Sequence, residues 1–185
     1  GDAVLERSRE LAREEVDKRH DDLDEDARET IASKVAVAAV RYFVLKYTRE
    51  KEVHFSFEKA LDWEGDSGPY LLYSTARAHG ILAKAGEVET PEVGEPETDD
   101  TFELLRKIER FDTVLESAFE KQEPASIAHY LKELAESFNS FYHNCPVLDA
   151  ETRELRETRL AAVGAFVQVM EAGLDILGIE PLEEM

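Results

Sequence analysis

The sequence predicts an all-α helical bundle, and three observations carry that prediction. Strand signals are almost absent, apolar residues recur at helical spacing along most of the 185 residues, and three late segments carry amphipathic stripes. The single candidate strand is the short alternating run "VHFSF" at 53–57. Hydrophobic residues make up 43% of the chain, enough for the core of one domain, or one domain with an appended helical segment, although 35% of residues are charged.

Each element follows from local signals. Residues 3–20 read as a charged helix that stops before the turn-like "HDDLDED". Asp26 is placed to cap a second helix running to about Tyr47. Its Ile31, Val35, Ala38, Ala39, Tyr42 and Phe43 cover more than one face, which predicts burial on several sides. After the "EGDSG" turn a helix runs from about Pro69 to Ala85, with Asp66 or Ser67 as its N-cap. Pro69 fits there because its missing N–H has no intrahelical partner in the first turn. Residues 86–100, "GEVETPEVGEPETDD", have no periodicity, two prolines and many acids, and so read as a solvated linker. Asp99 or Asp100 then caps a helix carrying Leu104, Ile108, Phe111 and Leu115. Pro124 sits where a first-turn proline belongs, ahead of Ile127, Leu131, Leu134, Phe138 and Phe141 on one face. The last helix carries Leu160, Val163, Val167, Leu174 and Leu177, and Gly178 is placed to end it. The total is five to six helices.

Acids number 42 against 22 bases, a net charge of −20, and they are spread over every segment rather than gathered in a tail. Of the basic residues, 13 are Arg and 9 are Lys. Spread acidity on a foldable chain points to a protein built for molar salt, where the Debye length is about 3 Å and self-repulsion is screened. The alternative is a merely acidic mesophilic protein. No stretch reaches the roughly 20 apolar residues of a membrane helix, so no membrane role is expected. The lone Cys145 excludes an internal disulfide and fits a reducing cytoplasm. A chain opening on Gly1 in helical register reads as a piece of something longer.

The tetrapeptide "GDSG" within "EGDSGPYLLYSTAR" invites a serine-protease reading, but that chemistry needs a histidine base, a buried aspartate and a β-barrel scaffold. The surroundings are helical, so Ser67 reads as a cap and not a nucleophile. At about 100° per residue, Leu71, Thr75, Ala78 and Leu82 share a core stripe. Tyr70, Tyr73 and Arg77 share a second stripe roughly 130° away, with Leu72 and Thr75 off that ridge. Two phenols and a guanidinium on one ridge suit stacking on unstacked RNA bases and contact with phosphate. The competing reading has both rings buried against a neighbouring helix and Arg77 paired with an acid. His129, His143 and Cys145 lack the spacing of a zinc frame, so no metal is assigned.

Several segments together resemble arginyl-tRNA synthetases at their C-terminal, DALR-type anticodon-binding domain. "EGDSGPYLLYSTAR" is similar to the family's "EGxxGPYLQYxxxR", and "FSFEKAL" to its "FDxxxAL", with Ser56 in place of the aspartate. "YLKELAESFNSFYHNCPVL" resembles "YLxxLAxxFxxFYxxxxVL", while "RETRLAAV" and "GLDILGIEPLEEM" match its arginine–leucine helix and its terminal methionine. The resemblance covers roughly 23–185 and, with the acidity, points to a halophilic archaeon.

The resemblance implies a bundle that grips the anticodon loop of arginine tRNA, with anticodon-binding roles for Tyr70, Tyr73, Arg77, Tyr142 and Met185. It divides the chain into a helical segment, 1–62, adjoining an N-terminal catalytic domain, and the bundle proper, 63–185, with 86–100 as its variable linker. In the family that catalytic domain uses ATP with Mg²⁺ to attach arginine to its tRNA. Its HIGH-like and KMSKS-like signatures are absent here, so this chain is not expected to aminoacylate alone. No cofactor is expected within it, and a monomer is. Leu72 stands where the family has glutamine, and Ser74 and Thr75 stand where it has alanine and histidine. Two readings remain beside this one: a helical scaffold without an RNA role, and the anticodon domain of a related synthetase such as the cysteine enzyme.

Overall fold

A computed structural model describes residues 2–19, 23–86 and 93–184. Eight helices occur among them: α1 (Asp2–Arg19), α2 (Glu25–Leu45), α3 (Phe57–Ala60), α4 (Gly68–Ala85), α5 (Asp99–Glu109), α6 (Phe111–Lys121), α7 (Ala125–Asn144) and α8 (Arg153–Ile176). No strand occurs among the described residues, in keeping with the all-α prediction. Helix α1 lies along α2, α2 passes its other side to α4, and α4 packs on α7 and α8. Helix α5 closes the bundle against α7 and α8. One continuous apolar cluster runs from Ala12 and Val16 of α1 through Val35, Leu71 and Phe138 to Leu174 of α8.

Small residues set the closest approaches. Helix α2 carries Ala32, Ala36, Ala38 and Ala39, all fully buried. A Cβ at Gly68 would overlap the Ala38 carbonyl, so the first turn of α4 rests directly on the α2 backbone. Gly173 plays the same part between α8 and the Leu131 side chain of α7. Around these contacts Phe138 and Phe166 stack at 4.0 Å and lock α7 to α8. Burying each such ring stabilises the fold by about 1.5–3 kcal/mol.

The end of α8 follows the sequence closely. Gly178 takes φ +67, its N–H reaches the Asp175 carbonyl at 2.8 Å, and the N–H of Ile179 reaches Leu174 at 2.8 Å. This pair of bonds is the Schellman motif, sealed by apolar contact between its flanking residues. Ile179 and Leu174 are both buried.

Other expectations are corrected. The run at 53–57 pairs with no strand; it is irregular as far as Ser56, which caps α3. Its alternation is satisfied by packing instead, with Phe55 against Phe43 at 4.9 Å. Asp24, not Asp26, caps α2 by accepting the Ala27 N–H at 2.8 Å. Thr98 caps α5 in place of Asp99 or Asp100, which lie in the first turn. The helix expected to run from Leu104 through Leu115 breaks at Arg110 into α5 and α6. There the Lys107 carbonyl accepts the Tyr130 hydroxyl at 2.9 Å and the Arg110 N–H at 3.2 Å, so the α-helical ladder is interrupted. Residues 93–98 of the expected solvated linker dock on α8: the Gly94 N–H donates to Thr158 Oγ1 at 2.8 Å, and Glu97 accepts from the buried Arg159 at 2.6 Å.

Candidate nucleic-acid interface

The entry to α4 is built first. Ser67 is buried; its Oγ accepts the Tyr70 N–H at 3.2 Å and donates to the Asp62 carbonyl. Beside it Asp66 accepts the Tyr42 hydroxyl at 2.5 Å, and Lys46 Nζ donates to the Asp66 carbonyl at 2.5 Å and to its carboxylate at 3.0 Å. Burial pushes the Asp66 carboxyl up, but the hydrogen bonds from Tyr42 and Lys46 outweigh it and hold Asp66 below its ordinary range. Burial, then the bond to that carboxylate, raises the Tyr42 phenol well above its usual value. The "GDSG" turn is thus an anchor for a helix start.

From that anchor the ridge projects as helical geometry requires. Leu72 and Thr75 point inward and are fully buried, while Tyr73 is 39% exposed. Tyr142, in the last turn of α7, is also 39% exposed. The Arg77 guanidinium bridges them, its carbon 4.6 Å from each ring centroid. Its Nη2 donates to the Tyr73 hydroxyl at 3.0 Å and its Nη1 to Asn139 Oδ1 at 2.6 Å. Among the described residues no carboxylate pairs with Arg77. Cation–π contact holds the guanidinium without cancelling its charge.

Tyr70 sits differently from Tyr73. Its ring is half-buried against the main core, and its hydroxyl accepts from Asn139 Nδ2 at 2.9 Å. The same nitrogen donates to the buried Ser74 Oγ at 2.9 Å. Asn139 therefore joins three residues of α4. The spacing of aromatic and basic residues did not find it; its one signal was an amide beside Phe138 of the α7 core stripe.

Two hollows flank this ridge. A groove of about 610 Å³ is lined by Tyr73, Arg77, Gly80, Lys84, Tyr142 and the 145–149 turn, among others. Among the described residues Arg77 and Lys84 are its cations and Asp149 its single carboxylate, in a chain with a net charge of −20. On the other side a recess of about 340 Å³ holds Tyr70 and Asn139, with the Arg19 guanidinium 4.9 Å over the Trp63 ring. His143 borders both hollows with its ring edge on Tyr142. Cys145 is buried and lies 3.2 Å from Thr98 Oγ1. Met185 falls outside the described residues. No helix of the described residues is long and apolar enough to cross a membrane.

A helical bundle whose surface groove presents phenol rings around an unneutralised guanidinium defines an all-α binding module. The chain belongs to the DALR anticodon binding domain family, whose profile matches residues 71–185. It is 42% identical over 184 residues to an arginine–tRNA ligase of Methanothrix thermoacetophila, spanning 100% of this chain and 33% of that protein. It is 42% identical over 189 residues to an arginine–tRNA ligase of Haloarcula marismortui, spanning 97% and 32%. Among solved structures it is similar to Thermus thermophilus arginyl-tRNA synthetase, with TM-score 0.93 and 36% identity over 100% of this chain and 32% of that one. The arginyl-tRNA synthetase of Plasmodium falciparum shares the fold, with TM-score 0.83 at 21% identity, over 100% of this chain and 32% of that one. The chain spans about a third of the length of the curated relatives it matches.

Proposed function

We propose that the groove between α4 and α7 binds the anticodon loop of arginine tRNA, as the C-terminal portion of an arginyl-tRNA synthetase. The observation that carries this reading is Arg77, bridged between Tyr73 and Tyr142 in an open groove and paired with no acid among the described residues. The two half-exposed rings stack on splayed bases, each stack worth about 1–3 kcal/mol, and Arg77 meets phosphate or a base edge. Tyr70 buttresses the ridge and faces the smaller recess. Met185 would add an apolar thioether.

The whole enzyme would attach arginine to tRNA(Arg). That step belongs to a catalytic domain supplying ATP and Mg²⁺ chemistry, with residues 1–62 abutting it and 63–185 forming the RNA-binding bundle. Monomeric state, a cytoplasmic site and a halophilic archaeal source complete the proposal; the source rests on spread acidity, which suits molar salt.

Filter binding with arginine tRNA in molar KCl tests the reading, with Tyr73→Ala as the control variant. Wild-type binding that Tyr73→Ala weakens supports it. Binding that the substitution leaves unchanged, or none at all, favours a scaffold instead. Competition with cysteine tRNA separates the arginine reading from that of a related synthetase such as the cysteine enzyme.

A further inference from the structure

We propose that Asn139 is the positioning residue of this groove, holding the Arg77 guanidinium between the two tyrosine rings while leaving its charge intact; the proposal rests on the RNA-binding reading above. The orientation of the amide is dictated by its partners. A guanidinium can only donate, so Oδ1 must face Arg77, at 2.6 Å, and Nδ2 is left to donate to Tyr70 and Ser74, both at 2.9 Å. Asn139 thus ties Arg77 to the anchored first turns of α4 through one rigid planar group.

The residue type carries the argument. Asparagine in a helix interior is a poor helix former, because its side chain competes for backbone bonds. Aspartate has the same shape and would bind the guanidinium more tightly, through a charge-assisted bond. It would also cancel the positive charge and could not donate to the Tyr70 hydroxyl. In a chain with 42 acids, an amide at this one contact keeps the groove attractive to phosphate. A guanidinium already fixed in its bound geometry loses less side-chain freedom when RNA arrives.

The test uses fluorescence anisotropy of this chain with a labelled anticodon stem-loop of arginine tRNA in molar KCl. Asn139→Leu is expected to weaken binding roughly tenfold, the scale of a lost hydrogen bond to a charged group. The same substitution made on Arg77→Ala should weaken it no further, since the two residues act through one contact. Equal losses in both backgrounds, or no loss in the wild-type background, overturn the proposal. Should the leucine variant lose its native circular dichroism, Asn139→Asp decides. It keeps the shape of the side chain but cancels the charge of the guanidinium, so it should bind roughly tenfold more weakly and lower the slope of log affinity against log salt by about one. Wild-type affinity and slope in Asn139→Asp overturn the proposal. A wild type that binds no RNA overturns the groove's assignment itself, a result distinct from tight wild-type binding with silent Asn139 variants.

Discussion

The guanidinium carbon of Arg77 on α4 stands 4.6 Å from the ring of Tyr142 on α7, so a cation and an aromatic separated by 65 positions form one surface. Removing either half should be felt by RNA and scarcely by the fold. Tyr142→Ala is expected to lose about 1–3 kcal/mol of stem-loop affinity. Arg77→Gln should lower the slope of log affinity against log salt by about one. Anisotropy titrations over a KCl series read both quantities; an unchanged slope for Arg77→Gln would place the guanidinium away from phosphate.

Asp66 makes folding stability depend on acidity. Its carboxyl is held below its ordinary value of 3.8 in the folded chain. The unfolded chain therefore takes up the proton first as pH falls, and the stabilisation present above that value drains away as pH drops through the folded one. Asp66→Asn should be less stable than wild type at pH 7, with the gap closing below about pH 4. Denaturant melts at fixed salt across that range check the sign. A gap that widens in acid contradicts it.

Gly68 and Gly80 lie 12 positions apart on α4 but should respond oppositely to alanine. A Cβ at Gly68 meets the Ala38 backbone, and overpacking there costs about 1–3 kcal/mol. A Cβ at Gly80 meets nothing within 4 Å, so the same change gains up to about 1 kcal/mol of helix propensity. Thermal unfolding of the two variants measures the contrast.

Dialysis from molar KCl into dilute buffer should reduce the helical circular dichroism signal. Without screening, the net charge of −20 repels itself across the whole surface. A fully helical chain in dilute buffer would remove the molar-salt reading while leaving the fold and the groove untouched.

Much of this was legible in sequence because it is local. Ser67 as a cap, Gly178 as a stop and the shared face of Tyr73 and Arg77 all follow from spacings of a few residues. What escaped was non-local. The break between α5 and α6 depends on Tyr130 reaching the Lys107 carbonyl from another helix. Asn139 acquires its role only because α7 packs against α4, 62 residues away in sequence from Arg77. The α2 cap falls at Asp24, two positions before Asp26, because "DDLDED" offers several equivalent acids and backbone geometry alone chooses among them. The alternation of 53–57 was real, but a single alternating run does not tell packing on a helix from pairing with a strand.

Gly80 carries a last consequence. It borders the main groove, and a Cβ added there would meet nothing within 4 Å. An acidic side chain at that position would weaken the positive field of Arg77 and Lys84 beside it. Gly80→Asp is therefore expected to leave the bundle folded while weakening the capture of an anion in the groove.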